Sequence, residues 1–173
     1  MDAIEAILTR TSIRKFTDQP VSDETIHTIL RAGMSGPSCV NARDWSFIVV
    51  KDRNTLNKMA DANGRPAEPL RGADFGVLVC GDLERAFPRA QEYWVVDGSI
   101  AAQNMILAAK ALGVGSVWLG TWPQVNRVEA LRALFNLPET QVPHSVIAFG
   151  YPAEQPAPRA PEWEEDRVHF EKW

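Results

Sequence analysis

Apolar residues recur at helical spacing in five stretches of the chain, separated by short polar segments. Ser22, followed by Asp23 and Glu24, has the features of a helix start: a capping hydroxyl and two acids near the positive end of the helix dipole. Asn126, with Glu129 three residues later, resembles a capping box. The pattern therefore predicts helices over 2–9, from Ser22 to about Gly33, over 54–62, over 93–112, and from the Asn126 box to about Phe135.

Short apolar runs predict four strands, over 45–50, 75–80, 116–119 and 145–149. Residues 10–16 alternate polar and apolar side chains and are also predicted to be extended. Residues 63–72 are polar, contain Gly and Pro, and are predicted to be a loop. We see no internal repeat, and a chain of 173 residues suits one domain over 1–173.

The longest predicted helix has an unusual composition. Its stretch 100–109 is rich in alanine and nearly apolar all round. A helix that lacks a polar face has no side to present to water, so we expect this one to be buried on most sides.

Residues 150–173 form a C-terminal arm of different character. Four prolines exclude a helix or an inner strand from its first part: Pro152, Pro156, Pro158 and Pro161. Residues 168–173 then alternate like a strand. A disordered tail is the simpler interpretation, but Phe170 and Trp173 would then be exposed without any gain. We therefore expect the arm to dock, with a partner subunit as one possibility.

Composition narrows the function classes. Hydrophobic residues make up 45% and charged residues 23% of the chain, which is ordinary for a globular protein. The net charge of −4 gives no support for a nucleic-acid surface. Only Cys39 and Cys80 are present, which favours a reducing cytoplasm over a disulfide framework. The acidic N-terminus does not resemble a signal peptide, and no apolar stretch is long enough to span a membrane.

The residue patterns that several common catalytic and binding mechanisms require are missing from the sequence. His27, His144 and His169 have no second ligand at metal-binding spacing, so we expect no metal. A nucleophile elbow and a Walker loop are both missing. Residues 113–118 begin like a dinucleotide fingerprint but lack its third glycine and lie between a helix and the following strand, the reverse of the required order. Cys39 has no basic neighbour and is interpreted as a buried structural thiol.

Three segments together suggest a planar, anionic ligand. In the extended first segment Arg10, Ser12 and Arg14 share one side and form a row of donors. Residues 37–45 put Ser, Asn and Arg on a loop that leads into a strand, and Gly120 ends a strand where a bare backbone could approach a flat ring. Taken singly, each segment has an ordinary alternative: a solvated basic edge, a turn with a capping serine, and a plain strand exit.

In this order the three segments resemble the nitroreductase family of flavoenzymes, and the resemblance covers nearly the whole chain. Arg10, Ser12, Arg14 and Phe16 match Arg-x-Ser-x-Arg/Lys-x-Phe/Tyr. The second motif is Pro-Ser-x-x-Asn-x-Gln-Pro-Trp, here with Arg43 in place of Gln and Asp44 in place of Pro; its matches are Pro37, Ser38, Asn41 and Trp45. The alanine-rich helix, Leu119-Gly120, and Gly150-Tyr151-Pro152 with Arg159 soon after complete the pattern.

The resemblance implies an α+β fold, a three-layer sandwich in which a mainly antiparallel sheet lies between helices. It also implies an intertwined homodimer that exchanges its C-terminal arms and binds two FMN molecules at the interface. By this analogy Arg10 and Arg159 hold the FMN phosphate with support from Ser12, and Arg14 lies at the pyrimidine edge of the flavin. Thr11, Pro37 and Leu119 belong to the same cofactor site.

By the same analogy, Ser38 and Asn41 come from the partner subunit's loop, and the Gly120 backbone faces flavin N5. Arg43 brings an added positive charge to a ring contact that the family usually makes with Gln. No side chain has to act as a nucleophile, so the chemistry is centred on the flavin.

The implied activity is electron transfer from NAD(P)H through FMN to nitroaromatics, quinones or similar small acceptors, with ping-pong kinetics. Because residues 63–72 leave little chain for a lid, we expect a tolerant acceptor site. Two alternatives remain open: the same fold catalysing reductive dehalogenation or flavin breakdown, and a non-catalytic module that stores FMN. The physiological acceptor and the choice between NADH and NADPH are not encoded in a recognisable motif.

Overall fold

A computed structural model describes residues 1–157 and 162–173 of the chain. Its four strands form one antiparallel sheet in the order β1-β2-β4-β3. The strands are β1 (Trp45–Val50), β2 (Phe75–Asp82), β3 (Gly115–Gly120) and β4 (Gln141–Gly150). All four were expected from the apolar runs, although β4 begins four residues earlier than predicted.

The five predicted helices are present. They are α1 (Ala3–Thr9), α2 (Asp23–Met34), α3 (Arg53–Asn63), α4 (Tyr93–Ala111) and α5 (Val125–Phe135). Ser22 caps α2 as predicted, since its side chain accepts a hydrogen bond from the Thr25 N–H at 3.2 Å. None of the helices in the described ranges is long and apolar enough to cross a membrane.

The sheet is covered on both faces, so the predicted three-layer sandwich is confirmed. On one face α3 and α5 contribute Leu56, Met59 and Leu131 to a core with the inward side chains of the strands. On the other face α2 and α4 contribute Ile29 and Met105 to a second core. Eight of the 19 residues of α4 are buried and most of the others are half-buried, with Tyr93, Val96 and Gln103 among its exposed positions. The sheet supplies side chains to both cores because successive residues of a strand point to opposite faces.

Strand β4 contains a proline although it lies between β2 and β3. Cys80 of β2 pairs with Pro143, but Val79 pairs with Ser145, so His144 is the extra residue of a β-bulge. A bulge interrupts the hydrogen-bond ladder and tolerates a residue without an N–H group. The predicted strand began at Ser145 and left out residues 141–144, which include this proline.

Three local predictions were wrong. Helix α5 begins at Val125, and its start at Gln124 has no side-chain cap, so Asn126 and Glu129 do not form a capping box. Residues predicted to be a loop form a 3₁₀ helix, Arg65–Gly72, which packs Leu70 into the core. The C-terminal residues after the 3₁₀ turn Glu165–Arg167 form no strand within the single chain, because a strand needs a neighbour to pair with.

Candidate functional site

The first motif runs alongside the start of β3. Ile13 N–H donates to the Ser116 carbonyl at 2.9 Å. Glu154 Oε1 accepts from the backbone N–H of Arg14 at 2.6 Å and of Lys15 at 3.2 Å. These bonds fix the backbone and leave the arginine side chains free to act. The segment can come this close because residue 115 is glycine: a Cβ there would lie 2.9 Å from Ile13.

The predicted row of donors lines one pocket of about 560 Å³. Four predicted residues contribute to it: Arg10, Thr11, Ser12 and Arg14. Pro156 and Ala157 of the arm close another side. Within residues 1–157 and 162–173, neither Arg10 nor Arg14 has an acidic side chain as an ion-pair partner. Two guanidinium groups in one pocket, neither tied up in a direct ion pair in this part of the chain, are suited to a phosphate. Arg159, the other predicted phosphate ligand, lies outside the described residues.

The opposite end of β3 is open. A Cβ on Gly120 would have no atom within 4 Å, so the backbone here faces free space. Leu119 beside it is buried and anchors the strand in the core. The Gly120 carbonyl accepts from Asn63 Nδ2 at 3.3 Å and from an Arg127 guanidinium nitrogen at 2.8 Å. These contacts hold the glycine in place while leaving one side of it accessible.

Arg65 is a candidate site residue that sequence reasoning missed. It follows Asn63 by two positions and lines a second pocket of about 560 Å³ together with Arg14 and Lys15. Glu68, also in this pocket, is paired with Arg71 at 3.1 Å. The 3₁₀ helix therefore brings a third cation to the side of the motif between Arg14 and Gly120. No sequence signal marked Arg65, because the segment was predicted to be a loop.

The second motif is a loop with an uncommon backbone. Val40, Asn41 and Arg43 have positive φ angles of 46°, 58° and 51°. Positive φ is uncommon outside glycine and is a strong outlier for β-branched valine. Two side chains hold the loop in addition to its own backbone hydrogen bonds: Ser38 Oγ accepts from Arg43 N–H at 3.0 Å, and Asp97 accepts from Cys39 N–H at 2.9 Å. Cys39 is half-buried rather than buried as predicted.

Arg43 extends the loop site towards the sheet edge. It lines a groove of about 420 Å³ with Arg85 and with the apolar side chains of Trp45 and Phe47. Arg43 and Arg85 are both exposed. The substitution of arginine for the family glutamine thus places a positive charge at the mouth of an apolar groove.

Two tryptophans pack against His144 near the end of β3, and a third packs on one of them. The Trp94 and Trp118 rings contact the imidazole edge to face, at centroid distances of 5.9 and 5.6 Å, and Trp122 packs on Trp94 at 5.0 Å. Burial lowers the pKa of His144 to about 4, so the ring is neutral near pH 7. The cluster gives the Gly120 end of β3 an apolar, aromatic wall.

Within one chain, the two motifs lie at opposite edges of the sheet. The first follows β3, and the second leads into β1. Three strand spacings of about 4.8 Å separate these edges by roughly 14 Å. The first motif and Gly120 lie at the two ends of the same edge strand, β3, whereas Ser38, Asn41 and Arg43 lie at the other edge of the sheet.

The nitroreductase family model matches residues 7–80 and 63–151. A protein of Methanothermobacter thermautotrophicus named an NADH dehydrogenase/NAD(P)H nitroreductase is 46% identical over all of this chain and 88% of its own length. A crystal structure under the same name from Bacteroides thetaiotaomicron has a TM-score of 0.91 and 40% identity, covering 99% of this chain and 98% of that one. The NADPH:FMN oxidoreductase of Vibrio harveyi, solved with NAD+, has a TM-score of 0.85 and 30% identity over 99% and 77% of the two chains.

Proposed function

The chain belongs to the nitroreductase family, and from this premise we propose that it is a homodimeric FMN enzyme that passes electrons from NAD(P)H to nitroaromatics, quinones or similar small acceptors. The observation that carries the proposal is a pocket with two arginines on the segment beside the start of β3, together with an open glycine at the far end of that strand. The relatives named NAD(P)H nitroreductase and NADPH:FMN oxidoreductase support the same reaction class.

The described residues fit FMN at both of its ends. Arg10 and Ser12 would hold the phosphate, and Arg14 would lie at the pyrimidine edge of the ring. Arg65, which shares a pocket with Arg14, would add charge at that edge. Leu119 and Gly120 would pass beneath the ring, where the absence of a Cβ keeps the ring face accessible.

FMN, when bound, supplies the two-electron chemistry that no side chain here provides. The task of the protein is electrostatic and geometric. Arg14 and Arg65 would stabilise negative charge at the ring edge. Neutral His144 stays hydrogen-bonded to Val95 and Ser99, so it supports the wall and is not proposed as a proton donor.

The open space beside Gly120 would serve donor and acceptor in turn. We propose ping-pong kinetics: NAD(P)H binds over the face beside Gly120, leaves after reducing the enzyme, and the acceptor takes its place. The 3₁₀ helix Arg65–Gly72 is packed into the core through Leu70 and is not free to close as a lid. A tolerant acceptor site follows, and similar activities across a panel of nitroaromatics and quinones are the expected result.

The separation of the motifs across the sheet supports a homodimer in which Ser38, Asn41 and Arg43 reach the FMN of the other subunit. Strand β1 is an edge strand with one side of its backbone unpaired. The C-terminal arm leaves Trp163, Phe170 and Trp173 exposed within a single chain. We propose that arms are exchanged between subunits, that 1–173 acts as one domain, and that the enzyme works in the reducing cytoplasm, where free Cys39 and Cys80 are stable.

Mixed dimers test the shared site. Arg10→Ala and Asn41→Ala damage different halves, so each homodimer should lose most of its FMN. A heterodimer isolated through two affinity tags has one intact site and should recover one FMN per dimer. The matched control pairs Arg10→Ala with Ser12→Ala, which damage the same half and should recover none. Equal FMN content in both mixtures would contradict the shared site.

An anaerobic titration tests the reaction. Bleaching of the flavin absorbance by NADH or NADPH, followed by recovery on adding a quinone, is the expected result. Bound flavin that neither nicotinamide bleaches would support the storage module instead. Strong preference for one halogenated or flavin substrate over the panel would support the other enzyme alternative.

A further inference from the structure

Asp44 directly follows the flavin-contact loop, residues 38–43, and is fully buried. Neither of its carboxyl oxygens has a hydrogen-bond partner in the described part of the chain. Its carbonyl oxygen accepts from the Asp82 N–H at 2.8 Å, which ties this position to the end of β2. An ionised carboxylate without donors is strongly disfavoured in such a place. The geometry therefore favours a protonated Asp44.

Asp97, in the first half of α4, is the neighbouring carboxyl group. It is 1% exposed, and its two oxygens lie 3.2 and 2.9 Å from the Cys39 nitrogen. Asp97 thus has the donor that Asp44 lacks, and this donor belongs to the loop itself. Two carboxylates held close together out of water repel each other, and a single proton between such a pair removes that repulsion.

No cation compensates Asp44 from the elements described around it. The charged groups that act on it are Asp97 of α4 and Asp82 of β2, both acidic. His144 of β4 packs against Gly98, next to Asp97, but burial keeps it neutral near pH 7. Arg43 on the adjoining loop is exposed and lines the groove with Arg85. Burial, with a smaller contribution from Asp97, raises the pKa of Asp44 to about 6.

We propose that Asp44 and Asp97 share one proton, and that this proton holds the loop carrying Ser38, Asn41 and Arg43 in its flavin-contacting conformation, so that FMN affinity depends on pH through this pair. With the proton present, Asp44 donates to Asp97 and Asp97 accepts from Cys39 N–H. When the proton passes to solvent, two buried carboxylates repel each other beneath a loop that already contains three positive φ angles. The loop then moves away from the conformation in which its side chains converge.

The inference rests on the proposed function only in that this loop contacts FMN. Asp44 and Asp97 are positioning residues, since they act through the loop and touch no reacting atom. Asp44→Asn is the informative change, because its amide group donates to Asp97 at every pH and mimics the protonated acid. Asp18→Asn removes the same charge from an exposed position and is the matched control.

FMN dissociation constants are measured for the three full-length proteins at constant ionic strength. The phosphate of FMN itself titrates near neutral pH, so the informative quantity is the ratio of the wild-type constant to that of each variant. For Asp44→Asn the ratio is expected to be near one at about pH 5 and to rise about tenfold by pH 8. For Asp18→Asn it should stay flat. A ratio for Asp44→Asn that does not change with pH overturns the proposal.

Thermal unfolding of the FMN-free proteins separates the possible failures. The raised pKa of Asp44 means that wild type loses stability relative to Asp44→Asn as pH rises from about 4 through 6. If none of the three proteins binds FMN at any pH, the proposed function fails. The shared proton is still supported in that case if the unfolding temperatures of wild type and Asp44→Asn diverge with pH. If those temperatures change in parallel, the shared proton is overturned. If the unfolding profiles diverge while the FMN ratio stays flat, the pair is only structural and the loop role is overturned.

Should Asp44→Asn fail to fold, Asp97→Asn replaces it. The new amide oxygen still accepts from Cys39 N–H, and the new amide group donates to an ionised Asp44. The pH dependence of FMN affinity is again expected to disappear. Wild-type pH dependence in this variant overturns the proposal.

Discussion

The segment along β3, residues 10–14, and the loop before β1, residues 38–43, carry the two halves of the candidate site but are held in different ways. The segment is extended, and its backbone is bonded to β3 and to Glu154. The loop has left-handed residues at Val40, Asn41 and Arg43, and it depends on a serine hydroxyl and a buried carboxylate.

Because of this difference, we expect side chains of the segment to affect FMN binding alone, and side chains that hold the loop to affect both its conformation and FMN binding. In the segment, the backbone conformation does not depend on the arginine side chains. The arginines therefore contribute charge for binding and little to folding. In the loop the side chains of Ser38 and Asp97 make the conformation itself, so a change there should alter affinity and stability together. Mutations in the two regions are therefore expected to have different signatures.

Arg10→Gln should have the largest effect and leave stability nearly unchanged. A charged hydrogen bond to phosphate is worth about 1.5–3 kcal/mol, so FMN affinity should fall roughly tenfold to 100-fold. Isothermal titration with FMN and thermal unfolding of the FMN-free protein measure the two quantities. A marked loss of thermal stability would show that the segment depends on this side chain after all, and would weaken the comparison.

Ser38→Ala should lower both affinity and stability. The Arg43 N–H would lose its acceptor, at a cost of about 0.5–1.5 kcal/mol to folding. Because the loop would also lose its shape, we expect FMN affinity to fall about three- to tenfold. Chemical denaturation and FMN titration provide the numbers, and Ser35→Ala, at a hydroxyl outside the loop that bonds only to its own helix end, is the control.

Val40→Gly and Thr11→Gly form a matched pair of opposite sign. Glycine relieves the positive φ of Val40 and should stabilise the protein by roughly 0.5–1 kcal/mol, after allowance for the added freedom of the unfolded chain. At Thr11, in the extended segment, the same substitution should destabilise by about 0.5–1 kcal/mol. Denaturant midpoints measure both changes. If both substitutions changed the free energy of unfolding in the same direction, the assignment of strain to the loop alone would be contradicted.

Glu154→Gln should have the smallest effect. Hydrogen bonds from Arg14 N–H and Lys15 N–H lower the pKa of this exposed carboxyl group. A lowered pKa contributes stability above the ordinary value of the acid and loses it as pH falls through the lowered value. Wild type should therefore unfold at a slightly higher temperature than the variant at pH 7, with the difference vanishing in acid. A difference that persists in acid would mean that the carboxylate charge is not responsible.

Much of the fold could be read from local pattern. Apolar spacing located the five helices and the four strands, and Ser22 marked the true start of α2. The local pattern gave the wrong starting residue for two elements, α5 and β4. Asn126 lies within the first turn of α5 instead of capping it, and β4 begins at Gln141, before the predicted Ser145.

The sequence by itself determined which helices and strands form, because helical and strand periodicities are local properties of the chain. It also determined the residues of each motif, because each motif is one contiguous segment. Only the tertiary structure decided that the two motifs lie at opposite edges, that Arg65 joins Arg14, and that Asp44 is buried beside Asp97. The strand order β1-β2-β4-β3 pairs segments far apart in sequence, such as β2 with β4, and the sheet packs on α2 and α4 with one face and on α3 and α5 with the other. Packing of this kind sums contacts between residues far apart in sequence, which no single segment encodes.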